Sequence, residues 1–168
     1  MYILIILIIG IILFFFKNKL YSKDSFRINE PFLNKTFLIT GSTRGIGFSI
    51  AKTLSKYNCN IIVTGKDSNN LSKAESKLKD SIATIYFIQA DLSSEEGVNK
   101  LFEESIENTK RIDYLINNVT IKSKQKGLSY KKLKDWKNER NVNIDSIFIL
   151  TQKVIDHMKN KKIEEKIY

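Results

Sequence analysis

Two periodicities of apolar residues alternate along the chain. Thr36 to Thr40 (T-F-L-I-T) is a short run of strand type, and after it Ile46, Ile50, Ala51 and Leu54 recur at helical spacing. Asn60 to Thr64 is a second β-branched run. Ser68 to Ser81 follows, with Leu71, Ala74 and Leu78 marking a helix face. Ala83 to Ala90 (A-T-I-Y-F-I-Q-A) is almost continuously apolar, as expected of a strand buried on both faces. Val98, Leu101, Phe102 and Ile106 carry a further helix, opened by a capping box of Ser93 with Glu96, and Ile112 to Asn117 reads as a fourth strand. Strands separated by helical segments predict an α/β domain, and right-handed crossovers give its parallel sheet the order 3-2-1-4.

The start of the chain departs from that alternation. Tyr2 to Phe16 is fifteen residues with no polar side chain except the Tyr2 hydroxyl. As a helix it spans ~23 Å against a ~30 Å hydrocarbon core, so spanning requires Leu20 and Tyr21 to extend it and Lys17 and Lys19 to snorkel. Lys17, Lys19, Lys23 and Arg27 all follow the run, which places the remainder in the cytosol by the positive-inside rule. The expectation is a hydrophobic membrane anchor over residues 1–20, inserted through residues 2–16, then a linker over 21–34 and a domain over 35–168. A cleaved signal peptide is the rival. Against it, no basic residue precedes the run and no A-x-A-like site follows it.

Between the first strand and its helix lies T-G-S-T-R-G-I-G, Thr40 to Gly47, which packs three of the chain's seven glycines into seven residues. If a dinucleotide crosses this turn, each has a task. Gly41 allows the tight exit from the strand, Gly45 lets backbone approach a pyrophosphate, and Gly47 lets helix and strand pack closely. The phosphates would rest on the free N–H groups of the helix N-terminus, where the dipole favours negative charge. The alternative is an ordinary glycine-containing turn.

The spacing G-x-x-x-G-x-G, with Asp91-Leu92, Asn117-Asn118 and Asn141-Val142-Asn143 following in order, resembles the short-chain dehydrogenase/reductase family from Lys35 to the end of the chain. The resemblance implies a Rossmann-type doubly wound parallel sheet, here preceded by the N-terminal hydrophobic helix. It implies that Gly41, Ser42, Thr43, Arg44, Gly45, Ile46 and Gly47 hold the dinucleotide. Asp91 and Leu92 would lie by the adenine ring, and Asn117 would fix the strand end and the adenine ribose. NAD-preferring relatives carry an acidic residue at the end of the second strand. Here that place holds Thr64 or Gly65, then Lys66, with Arg44 near the same spot, so the resemblance implies NADP(H) favoured over NAD(H). Asp67 is close enough to blunt that argument. Val119 and Thr120 depart from the small residues of the family pattern N-N-A-G.

Family chemistry uses a tyrosine acid/base, a lysine that lowers its pKa, a serine on the substrate carbonyl and a helical asparagine; Asn143 matches the last. The serine and the Tyr-x-x-x-Lys helix belong at and after a fifth strand, which would be starting at Ile167-Tyr168, so the sheet is expected to be incomplete at the C-terminus. Tyr130 and Lys134 have the right spacing but precede Asn143, and are rejected as the pair. The implied function is hydride transfer by an NAD(P)(H)-dependent oxidoreductase, membrane-anchored and truncated, reducing a carbonyl or oxidising an alcohol of hydrophobic character. The alternative is a catalytically inactive nucleotide-binding remnant or one part of a split enzyme. The downstream reading frames would separate these two.

Composition changes this picture little. At 168 residues with 42% hydrophobic content the chain is of one-domain length, with material for a core. Its single cysteine, Cys59, cannot form an internal disulfide, and the absence of a Cys/His cluster argues against a structural metal site. The net charge of +10 comes with no zinc-finger, helix-turn-helix or RNA-binding signature, so no nucleic-acid partner is expected. Lys122 to Arg140 holds eight cations and two anions, read as a solvated loop and helix face or as attraction to an anionic membrane. His157, the only histidine, reads as a surface residue without a partner. Oligomeric state is not legible.

Overall fold

The computed structural model describes residues 31–122, 128–163 and 167–168. In chain order the elements are β1 (Thr36–Ile39), α1 (Gly45–Leu54), β2 (Asn60–Gly65), α2 (Ser68–Leu78), β3 (Thr84–Gln89), α3 (Glu95–Thr109), β4 (Tyr114–Ile116), α4 (Leu133–Arg140) and α5 (Ser146–Asn160). A 3₁₀ turn, Leu128–Tyr130, precedes α4, and a π-helical turn, Asn141–Asp145, joins α4 to α5.

The four strands form one parallel sheet in the order β3-β2-β1-β4, the order expected from the alternation. Successive side chains of a strand point to opposite faces, and the core divides accordingly. Leu38 and Ile62 face Val98 and Leu101 of α3 and Leu150, Val154 and Met158 of α5. Phe37, Ile39, Ile61 and Val63 face Ala51 and Leu54 of α1 and Ala74 and Leu78 of α2. Helices cover both faces of a parallel sheet, which is the Rossmann-type doubly wound architecture. Beyond β4, Leu115 makes an isolated parallel bridge with Ile167. There the Tyr168 N–H donates to Leu115 O (2.8 Å) and the Asn117 N–H donates to Tyr168 O (2.6 Å).

Several expectations change. β3, whose apolar run suggested burial on both faces, lies at the sheet edge with Ile85, Tyr86 and Phe87 only partly covered, because an edge strand has a neighbour on one side alone. The helix cap after β3 is Ser94, whose hydroxyl accepts from the Gly97 N–H at 3.2 Å, not Ser93. Ser93 is taken by Asp91, to which its hydroxyl donates at 2.8 Å. His157 is half-buried, its ring edge-on to Phe102 at 6.2 Å, and burial followed by the charges of Lys161 and Arg111 lowers its pKa.

The localisation expectation, a single membrane segment with a cytosolic domain, is withdrawn. Among the described residues no helix is long and apolar enough to cross a membrane. The longest, α3 and α5, have 15 residues each, ~22 Å of helix, and both carry charged side chains. The hydrophobic run at residues 2–16, proposed as anchor or signal peptide, and residues 21–30 of the proposed linker lie outside the described residues.

Candidate functional site

In an open parallel sheet, ligands bind beyond the carboxyl ends of the strands where the winding reverses. Here the chain builds outward from β1 to β2 and β3, then returns to place β4 on the other side of β1. A cleft of about 580 Å³ opens at that end of the sheet. It is lined by the glycine turn (Gly41, Thr43, Arg44, Gly45, Ile46), the end of β2 (Thr64 to Asp67), the turn after β3 (Ala90 to Ser93) and the segment after β4 (Asn118 to Ile121).

The turn after β1 is shaped by its glycines. Gly41 and Gly45 have φ of +62° and +61°, a region that a side chain disfavours. At Gly47 the constraint is contact: an added Cβ would lie 2.5 Å from Asn118 Nδ2 and 2.8 Å from Gly41 O. Gly41 also makes room for Val119, whose Cα would be 3.0 Å from a Cβ added there. The β-branched residue at this departure from the family pattern is therefore accommodated beside the turn. Arg44 is the N-cap of α1 in extended conformation, with no side-chain cap bond, and there is no acidic residue in the first turn. The N–H groups at the start of such a helix lack intrahelical partners and favour an anion.

Two residues lock this turn to β4. The Thr40 hydroxyl accepts from the N–H groups of Asn118 and Val119, each at 3.0 Å, and donates to Ile116 O at 3.3 Å. Asn118 Nδ2 donates in return to Thr40 O (3.0 Å) and Gly41 O (3.1 Å). Thr40 was not singled out from the sequence, where its only signal is a polar residue closing an apolar strand. Asn118 was legible only as the second half of a motif.

The cation expected at the end of β2 is present and already paired. Lys66 Nζ lies 2.7 Å from Asp91 Oδ2. Asp91 Oδ1 accepts from the N–H (3.1 Å) and hydroxyl (2.8 Å) of Ser93. Burial raises the Asp91 pKa, but the bonds from Lys66 and Ser93 outweigh it and the carboxyl lies below its ordinary value. Asp67, expected to offset Lys66, instead caps α2 by accepting from the Asn70 N–H at 2.8 Å.

The remaining candidates divide. Gly41, Thr43, Arg44, Gly45, Ile46, Lys66, Asp91 and Leu92 line the cleft together. Ser42 is buried beneath it, donating to Ile39 O (2.6 Å) and accepting from the Thr64 N–H (3.0 Å), so its hydroxyl joins the ends of β1 and β2. Asn117 donates to Thr151 Oγ1 (3.2 Å), and its buried Oδ1 has no partner among the described residues. Asn143 lies in the π-helical turn, accepting from the Ile121 N–H and donating to Ile121 O, both at 2.9 Å. It thereby pins the segment after β4, while facing a separate hollow beside Ile144, Phe148 and Thr151.

The fit to a dinucleotide rests on two features of this cleft: an uncapped helix start behind glycines that leave no side chain in the way, and Thr64 in its lining, whose buried hydroxyl has no partner among the described residues. Comparison with known proteins agrees. A family model described as short chain dehydrogenase matches residues 35–166. The 3-oxoacyl-(acyl-carrier-protein) reductase FabG of Aquifex aeolicus is 37% identical over 129 residues, 74% of this chain and 50% of the relative. The NADP-dependent (R)-specific alcohol dehydrogenase of Lentilactobacillus kefiri is 31% identical over 127 residues, 76% of this chain and 50% of the relative. A metagenomic short-chain oxidoreductase, solved in complex with NADP, superposes with a TM-score of 0.73 at 22% identity, covering 79% of this chain and 60% of that one. The chain spans about half the length of the curated relatives it matches.

Proposed function

The chain belongs to the short chain dehydrogenase family, and we propose that it binds a nicotinamide dinucleotide in the cleft at the strand ends, NADP(H) in preference to NAD(H), in the service of hydride transfer between a carbonyl and an alcohol. The observation that carries this reading is the convergence in one cleft of the uncapped α1 N-terminus, Arg44 and Lys66. Gly45 and Ile46 would present backbone to the pyrophosphate, Asp91 and Leu92 would flank the adenine, and Arg44 with Lys66 would meet a 2′-phosphate. A bound nicotinamide ring supplies or accepts the hydride. The alcohol dehydrogenase relative is NADP-dependent by name, which supports the cofactor preference.

A second reading, binding without turnover by residues 1–168 alone, is favoured by Asn143. Both ends of its side chain are occupied by Ile121 backbone. An amide supplies no proton near neutral pH, so Asn143 by itself provides no general acid. A hydrophobic carbonyl or alcohol as the substrate is the narrower form of the first reading.

The test is the affinity of the chain for NADPH and NADH by calorimetry, followed by NADPH oxidation with a panel of carbonyl compounds. A charge-assisted contact contributes ~1.5–3 kcal/mol when sheltered, tenfold or more in affinity, and less for a lysine whose side chain is 72% exposed. NADPH should bind several-fold more tightly, and Lys66→Asp should shrink or reverse the difference. No binding of either cofactor refutes the reading, equal binding refutes the preference, and turnover by the pure chain refutes the second reading.

A further inference from the structure

Lys66 leaves the end of β2 and Asp91 the turn after β3, neighbouring strands of the sheet, and their side chains meet in the cleft. The carboxylate is held in place by the two bonds from Ser93, and the Lys66 carbonyl accepts from Gln89 Nε2 at 3.0 Å. Asp67, the acid adjacent in sequence, is committed to the start of α2. Arg44, also in the cleft lining, forms no ion pair among the described residues.

We propose that Asp91 is a specificity-determining residue that competes with the 2′-phosphate of NADP(H) for Lys66, holding the preference for NADP(H) below what Lys66 and Arg44 would otherwise give. This rests on the dinucleotide reading above. A lysine paired with a carboxylate is close to neutral at a distance, and a phosphate approaching it meets attraction and repulsion together. NAD(H) lacks that phosphate and meets neither. Adenine, pyrophosphate and nicotinamide are common to both cofactors, so any contact Asp91 makes with them cancels in the ratio of affinities. The pair is partly exposed, with side chains 72% and 41% accessible, which keeps the effect modest and sensitive to salt.

The experiment compares NADPH and NADH affinities of the full chain as wild type, Asp91→Asn, Lys66→Met and the double variant, at low and high salt. Asparagine keeps the acceptor for Ser93 while removing the charge. Asp91→Asn is expected to raise the NADPH-to-NADH preference about two- to fivefold at low salt, less at high salt, and not at all with methionine at position 66. In the wild-type chain, the side-chain NMR resonances of Lys66 should move on adding NADPH and stay unmoved with NADH, a readout that needs no variant to fold. An unchanged or lowered ratio, the same gain without Lys66, or a Lys66 resonance indifferent to NADPH overturns the proposal while the dinucleotide reading stands. Failure of the wild type to bind either cofactor overturns both.

Discussion

Replacing Thr40 by valine isolates the lock between the glycine turn and β4. The two side chains have nearly the same shape, and Thr40 is 1% exposed, so the change removes one hydroxyl and little else. In the structure that oxygen is the acceptor for the N–H groups of Asn118 and Val119. Ile116 O loses a weak donor at 3.3 Å but keeps the Thr40 N–H at 3.0 Å, so the cost falls on the two orphaned donors. An unsatisfied buried N–H costs ~1–3 kcal/mol, and these two are only part-buried beside the cleft, where water relieves part of the penalty. The expected destabilisation is about 2–3 kcal/mol. With a urea slope of about 1–3 kcal/mol per molar, the unfolding midpoint followed by far-UV circular dichroism should fall by roughly 1 M or more. Thr40→Ser is the control: it keeps the oxygen, loses one methyl, and should cost about 1 kcal/mol. Thr40→Val within about 0.5 kcal/mol of the wild type, or no worse than Thr40→Ser, would show that the hydroxyl does not hold the turn.

The glycines of the turn should respond unequally to alanine. At Gly45 nothing lies within 4 Å of an added Cβ, so Gly45→Ala should cost only the ~1 kcal/mol of a left-handed side chain, whereas Gly47→Ala meets Asn118 and fixed backbone and should cost about 1–3 kcal/mol together with measurable NADPH affinity. Equal midpoints for the two variants in urea would contradict this. Acid stability should trace in part to Asp113, buried where it accepts from the Thr36 N–H at 3.0 Å and pairs with Arg111 and Lys35. Burial raises its pKa, but the bonds from Arg111 and Thr36 and the charges of Arg111 and Lys35 prevail, so the folded value lies below the ordinary 3.8. The unfolded chain binds the proton first on acidification, so this stabilisation is complete above pH 3.8 and is lost as pH falls through the folded value. Asp113→Asn should lower stability at pH 7 by about 2 kcal/mol and flatten the acid limb of a stability–pH profile; an acid limb as steep as that of the wild type would count against it.

The order of elements from β1 to β4 was legible because each strand and helix there carries its own hydrophobic period, whereas α4 buries no residue and carries none. What escaped the sequence lay in pairings across the sheet. Asp67 is visible beside Lys66 in the chain, but the carboxylate that reaches the lysine comes from the neighbouring strand's end. Ser93 and Glu96 have capping-box spacing, yet Asp91 claims the Ser93 hydroxyl and the cap passes to Ser94. Ser42 looks like a ligand residue because it is polar and sits in the turn, whereas its hydroxyl spans β1 and β2 under the cleft. His157 sits one residue before the buried Met158, so the helix turns it half inward. Periodicity reports which face a residue occupies; it carries no record of what waits on the other strand.

The central position of β1 also orders events in time. Its partners in β2 are 24 residues away, as between Thr36 and Asn60, but its partners around β4 are 77 residues away, as between Thr36 and Asp113. Closing the longer loop carries the larger entropy cost, and contacts of that separation form late. During synthesis β1, β2 and β3 can therefore assemble while one edge of β1 still lacks its neighbour, and the cleft acquires its second wall only when Asn118 arrives at Thr40. Pulse-labelled amide exchange would display this as early protection in β2 and late protection at Asn118 and Val119. The nascent domain must wait with an apolar strand edge open, which makes this interval the part of its life in which it is most exposed to misassembly.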